Sequence, residues 1–256
     1  MDPIVTVAAA PRLTDLGPWT LKADPAPPRE TEAHPTAPAA PGLLDLLLRN
    51  ETALNQLLLD DRRLTGTLQK LLGVTAFGLC VHGLVVGLVA QPVAALGTDG
   101  FVQGRPLLWL PLTFVGALIG ALTICLPSFY FYTQLSGLDA SFRLVTAQAV
   151  RVLAKTAVLL LGVAPFYAAL ALSAATGLVD DRETVVRIGF AAPFVVGLWG
   201  IAALRRSFAE LSQVLPITHE RRGNFLTRMV LAWGAVYSVV APVAFWRLGE
   251  ALGRIF

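Results

Sequence analysis

Acidic side chains are scarce in this chain and absent from its long apolar runs. Aspartate and glutamate together number 17 of 256 residues, and charged residues of all kinds make up 14%. A soluble domain usually carries nearly twice that share. Proton- or sodium-coupled transporters normally keep an ionisable group near the bilayer midplane, and here His82 in "CVHGLVVG" is the one deep candidate. A lone histidine in a glycine-rich span reads first as a hydrogen bond to a neighbouring helix. Cysteine is nearly missing as well. Cys80 and Cys125 both lie within apolar runs, too few for a disulfide framework or a metal site, and read as small packing residues. Neither H-E-x-x-H nor G-x-S-x-G occurs, and no P-loop lysine follows a glycine loop. We therefore expect no enzyme, no cofactor and no metal. The net charge of +3 is small and scattered, which argues against nucleic acid as a partner.

What the chain has is hydrophobicity. Apolar residues make up 55% and the mean hydropathy is +0.65. Several runs exceed the roughly 20 residues a helix needs to cross a bilayer. The expected fold is all-α: a polytopic bundle of about five transmembrane helices near 71–95, 107–134, 146–176, 186–204 and 226–248. Each carries proline near an end or middle: Pro92, Pro111 and Pro127, Pro165, Pro193, Pro242. Such prolines kink membrane helices and serve packing, or a hinge or cavity.

Two zones precede the spans. Residues 1–41 hold "KADPAPPRETEAHPTAPAAPG", too poor in apolar side chains to offset ordering entropy, so a disordered, partly polyproline-like tail is expected. "MDPIVTVAAAPR" has too short an apolar run for a cleaved signal peptide. Residues 42–70 place Leu43, Leu47, Leu54, Leu57, Leu58 and Leu64 at three- and four-residue steps, with Asp45, Arg49, Asn55, Asp60 and Arg63 mostly opposite. This predicts an amphipathic helix on the membrane surface or docked on a partner, continuing into the 71–256 spanning domain.

Cations set the orientation. Arg62, Arg63 and Lys70, then Arg143, Arg151 and Lys155, then Arg205, Arg206, Arg221, Arg222 and Arg228 fall at one set of span ends. They outnumber Arg105, Arg182, Arg187, Arg247 and Arg254 at the other. Lysine and arginine accumulate on the cytoplasmic side, which predicts the N-terminus inside and the C-terminus outside. Arg151 and Lys155 share a helix face and can snorkel. They read first as an orientation signal and alternatively, with Arg143, as a lipid-phosphate or anion pocket. Gln148 and His82 join Arg151 as candidate cavity residues. Arg205, Arg206, Arg221 and Arg222 in loop 205–225 are cytoplasmic docking candidates. "GLVVG" (Gly83, Gly87) and "GALIG" (Gly116, Gly120) put small residues on one face, for the internal bundle or a dimer. Phe129, Tyr130, Phe131 and Tyr132, with Trp109, Trp199, Trp233 and Trp246, read as interfacial anchors.

The connection "LSGLDASFRLVTAQA" between two long spans, followed by "LGVAPFYAALAL", resembles bacterial members of the Yip1-like group. So do a polar N-terminus, five spans and an outside C-terminus. The acidic DLYGP-type motif of eukaryotic relatives is absent, and their traffic-GTPase partnership is not implied. The resemblance implies a small multi-span protein that binds others or shapes membrane. More faintly, the helix of 43–58 resembles bacterial proteins labelled actin-binding WH2-containing. "LQKLLGV" at 68–74 replaces the expected LKK[TV]-like segment and leads straight into a span, so actin binding is not implied. The Ala/Leu/Val/Arg-rich composition suggests a GC-rich bacterial source and hence the inner membrane. The expected function is a non-catalytic membrane scaffold or accessory subunit with lipid and a protein partner, or a second copy, as its contacts. The alternative is a small transporter or channel component.

Overall fold

The computed structural model describes residues 42–96, 105–179, 181–214 and 223–255, and every regular element among them is helical. The tail 1–41 lies outside the described residues. Two local capping choices break the amphipathic stretch into three pieces. Helix α1 spans Leu43–Leu48, α2 Glu51–Leu59, and α3 begins at Asp61 and runs to Leu96. Asn50 caps α2 by accepting from the Ala53 amide at 3.0 Å. Asp60 caps α3 by accepting from the Arg62 amide at 3.1 Å. Each side chain satisfies an orphan donor of the first turn, so the leucine period continues while the helix direction does not.

Four more long helices follow: α4 Pro106–Leu135, α5 Phe142–Ala175, α6 Arg182–Val214 and α7 Gly223–Gly253. Five segments are long and apolar enough to cross a membrane: Asp61–Ala90, Pro106–Leu135, Phe142–Ala174, Arg182–Leu211 and Thr227–Gly253. The chain is a multi-pass membrane protein of helical architecture. All five spans exceed the ~20 residues that hydrocarbon requires, so they tilt or project. The excess decides one expectation: α6 continues to Val214, so the first half of the presumed loop 205–225 is helix. Residues 215–222, with Arg221 and Arg222, lie outside the described residues.

The turn from α4 to α5 follows its sequence closely. Gly137 takes a positive φ of 79°, which an L side chain adopts only under strain. Ser141 then caps α5, its hydroxyl accepting from the Leu144 amide at 3.2 Å.

The long helices form a ring in the order α3, α4, α7, α6, α5, with α5 returning to α3. Two buried clusters divide it. One gathers Leu47, Leu54 and Leu58 with Phe129, Leu144, Phe208 and Trp233, at the end where α1 and α2 dock (the cap end). The other, at the far end, gathers Leu79, Val86, Trp109, Phe114, Tyr167 and Phe245. Gly83 and Gly87 bring α3 against the start of α4. An added Cβ would lie 2.6 Å from Pro111 Cα or 2.9 Å from Leu107 Cα. That glycine pair is therefore an internal crossing. Among the described residues, Gly116 meets only the tip of Leu248, and Gly120 meets nothing within 4 Å.

Candidate functional site

The amphipathic helix docks on its own bundle. Its buried face includes Leu54 and Leu58 and, beside them, Asn55, which the leucine pattern had placed on the polar side. Glu51, Asn55 and Leu58 follow one another at i, i+4 and i+7, so the docked face carries one polar edge. That edge meets polar residues of α5 and α6 spaced for the same purpose: Gln148, Arg151 and Lys155 on one, Ser207 and Glu210 on the other.

The result is a closed hydrogen-bond network among nearly water-free side chains. Asn55 is 5%, Gln148 0%, Arg151 4% and Ser207 2% exposed. The Asn55 carbonyl oxygen accepts from Gln148 Nε2 at 3.1 Å, Arg151 Nη1 at 2.5 Å and Ser207 Oγ at 2.9 Å. Its amide donates to Glu210 Oε2 at 2.6 Å. Gln148 Oε1 lies 2.8 Å from the same Ser207 hydroxyl, whose single proton serves either of the two acceptors, and Arg151 lies 3.2 Å from Ser207 Oγ. The guanidinium charge is met by Glu51, with Arg151 Nη2 3.6 Å from Oε2, while Lys155 donates to the other Glu51 oxygen. A buried charge is tolerated when paired and hydrogen-bonded in this way.

Glu51 answers to the same field. Burial alone would push its carboxyl upward, but the hydrogen bond from Lys155 and the charges of Lys155, Arg151 and Arg206 hold it below the ordinary value of 4.5. The space left beside Gln148, Arg151, Lys155 and Ser207 is ≈ 10 Å³, about that of one water. Glu51 already occupies the anionic position.

The cations read as one pocket are thus not all together. Arg151 and Lys155 join the network, whereas Arg143 is exposed on the first turn of α5, about 12 Å further along the helix. Arg205 and Arg206 are exposed on α6, Arg206 near enough to act on Glu51. His82 belongs elsewhere. It packs near Tyr167, which lies sixteen residues beyond Arg151 on α5, or roughly 24 Å along the axis. His82, Gln148 and Arg151 therefore do not line one cavity.

His82 is buried and its Nε2 donates to the Gly189 carbonyl on α6 at 3.0 Å, with its ring edge-on to Phe114 at 5.1 Å. Pro193 follows Gly189 by four residues and has no N–H to offer that carbonyl. The histidine supplies the missing donor. Tyr167 donates beside it to the Val185 carbonyl at 3.0 Å.

Aromatic anchoring holds only in part. Trp199 and Trp246 are exposed on the bundle's outside, but Trp109 and Trp233 are buried, as is Phe129. Trp233 stacks on Phe129 at 4.4 Å and donates to the Cys125 carbonyl at 3.1 Å. Between α4, α5, α6 and α7 lies a cavity of ≈ 40 Å³ lined mainly by apolar side chains with Thr156, Tyr237 and Ser238.

Glu51, Asn55, Ser207 and Glu210 escape a reading of the sequence by spans because they lie outside the expected spans, the first two on α2 and the last two beyond residue 204 on α6. The available signal is the recurrence of polar residues at i, i+3 and i+4 on three amphipathic faces. No family model matches this chain, and neither a curated protein nor a solved structure shows significant similarity to it.

Proposed function

We propose that this chain is a non-catalytic scaffold or accessory subunit of a bacterial inner membrane, its cap end cytoplasmic and its C-terminus outside. Partner proteins or lipid dock on the cap α1–α2, the tail 1–41 and the 205–225 segment. The observation that carries this reading is the use made of the polar residues. They knit α2 to α5 and α6 instead of lining a passage, so a short amphipathic segment becomes a fixed platform. Its outward side still offers Leu44 and Leu48, one turn apart and about half exposed, beside the charges of Asp45 and Arg49. An apolar pair rimmed by charge suits a protein partner or a headgroup layer. The Yip1-like resemblance fits the same reading.

The test is purification of the full-length protein in mild detergent, with the mass of the intact particle and identification of what accompanies it. Truncation should stop at residue 41, because α2 supplies core leucines. A reproducible partner that is lost from the 42–256 protein, or from Leu44→Asp/Leu48→Asp with an unchanged melting temperature, supports the scaffold. A monodisperse particle of this chain and lipid alone refutes it. The transport alternative draws on the prolines within α4 to α7 and on the mid-bundle cavity. Flux through reconstituted vesicles that Ser238→Phe, which fills that cavity, abolishes in protein of unchanged fold would favour it instead.

A further inference from the structure

A second feature of the cap end lies away from the network, on the outside of the bundle between α4 and α7. Ser128 and Tyr132, one turn apart on α4, face Arg228, Met229, Ala232, Trp233 and Val236 on α7 across a groove of ≈ 340 Å³. That volume is at the lower end of the range for small-molecule sites. The two helices run antiparallel, which orders the lining by depth. Tyr132 and Arg228 stand at the cap end of the groove, and Ala232 and Val236 lie deeper, about 6 and 12 Å along α7. The wall is rigid at Trp233, whose ring is clamped between Phe129 and Tyr237. At the mouth, Arg228 pairs with no carboxylate among the described residues, and the Tyr132 hydroxyl bonds to no other described group. A polar, cationic mouth above an apolar trough has the charge and depth profile of one phospholipid molecule, with net charge favouring an anionic one.

We propose that this groove holds one anionic glycerophospholipid of the leaflet at the cap end. Its phosphate meets Arg228 and the Tyr132 hydroxyl, and its upper acyl chain lies along Ala232, Trp233 and Val236. The site is independent of the scaffold reading, since it involves neither the cap helices nor a protein partner. Every exposed interfacial arginine attracts anionic lipid to some degree. Arg143 is the internal comparison, an exposed arginine at the same end beside the Tyr130–Phe142 aromatic pair, outside this groove.

The experiment uses the full-length protein in nanodiscs of equal parts dioleoyl phosphatidylglycerol and dioleoyl phosphatidylcholine, released into mild detergent and weighed intact by native mass spectrometry. The wild type should retain one phosphatidylglycerol in preference to phosphatidylcholine. Arg228→Ala should lower that preference about fivefold, the effect of one basic residue at an anionic surface, and Arg228→Lys should largely restore it. Arg143→Ala should leave it unchanged. Ala232→Phe, which fills the trough, should reduce retention of both lipids. Melting temperatures of all variants are measured alongside, so that loss of fold is recognised as such. Equal losses from Arg228→Ala and Arg143→Ala, wild-type retention in a folded Ala232→Phe protein, or no retained lipid in the wild type would each overturn the proposal.

Discussion

Replacing Asn55 by leucine probes the network at the point where most of its bonds meet. Leucine keeps the branching of asparagine but is bulkier, so some overpacking adds to the chemical loss. Leucine removes the acceptor shared by Gln148, Arg151 and Ser207 and the donor to Glu210. Ser207 keeps Gln148 and is little harmed. Arg151 loses its shortest acceptor and keeps Glu51 at 3.6 Å; a hydrogen bond to a charged group is worth about 2 kcal/mol. The Gln148 amide is left buried without its acceptor, at about 1 kcal/mol. The sum of ~3 kcal/mol lowers the melting temperature by roughly 6–12 °C in a protein of this size. Trp fluorescence during heating in mild detergent reads it. Gln56→Leu, an exposed neighbour on the same helix, should cost under about 0.5 kcal/mol. The sharper expectation concerns the double variant. With Arg151→Met also present, the buried guanidinium no longer needs the lost acceptor, and most of the loss from Asn55→Leu should disappear, with a coupling of about 2 kcal/mol. A melting temperature for Asn55→Leu within about 1 °C of wild type, or simple addition of the two single effects, would refute the reasoning.

Three further outcomes are expected. Glu51 has a folded pKa below its ordinary value, so its ion pairs contribute fully above about pH 4.5 and are lost as pH falls through the folded pKa. Wild-type melting should drop on acidification through that window, and Glu51→Gln should flatten the drop while lowering stability at neutral pH. Gly189→Ala would set a Cβ against Tyr167 Oη and 2.8 Å from Val86 Cγ2, costing about 1–3 kcal/mol, while Gly120→Ala in open space should be neutral or stabilise by up to ~1 kcal/mol; thermal melts compare the pair. His82→Leu leaves the Gly189 carbonyl without its donor and should cost about 1–3 kcal/mol, much of it regained in His82→Leu/Pro193→Ala, where a backbone N–H returns.

The spans were legible because crossing hydrocarbon demands a long apolar run, and a run is local information. The α4–α5 connection was legible for the same reason, although the expected span began at 146 and the Ser141 cap starts α5 at Phe142. Asn50 and Asp60 show where local information misleads. Both are caps, yet they interrupt a leucine period that continues through them, so periodicity described one helix where capping made three. Asn55 was misplaced because its burial depends on Gln148 and Ser207, each more than 90 residues away. Trp109 and Trp233 were read as anchors from nearness to span ends, but depth along a span does not say which side faces lipid.

His82 shows how far a local reading can be extended when the chemistry is followed. A lone histidine in a glycine-rich span is an unspecific signal, and so is a proline in the middle of another span. Taken together they make a specific pair, because every mid-helix proline leaves a carbonyl four residues earlier without its usual donor. In α6 that carbonyl belongs to Gly189, the residue whose missing side chain makes room for Tyr167 and Val86. The three requirements coincide on one turn of helix: a proline frees the acceptor, a glycine exposes it, and a histidine on α3 reaches it. Arg151 obeys the same logic at the other end, its buried charge answered by acceptors from α2, α5 and α6. The ionisable groups held deepest in this bundle, His82 and Arg151, are thus satisfied by named partners on other helices, and each adds a directional tie to elements that apolar packing also joins.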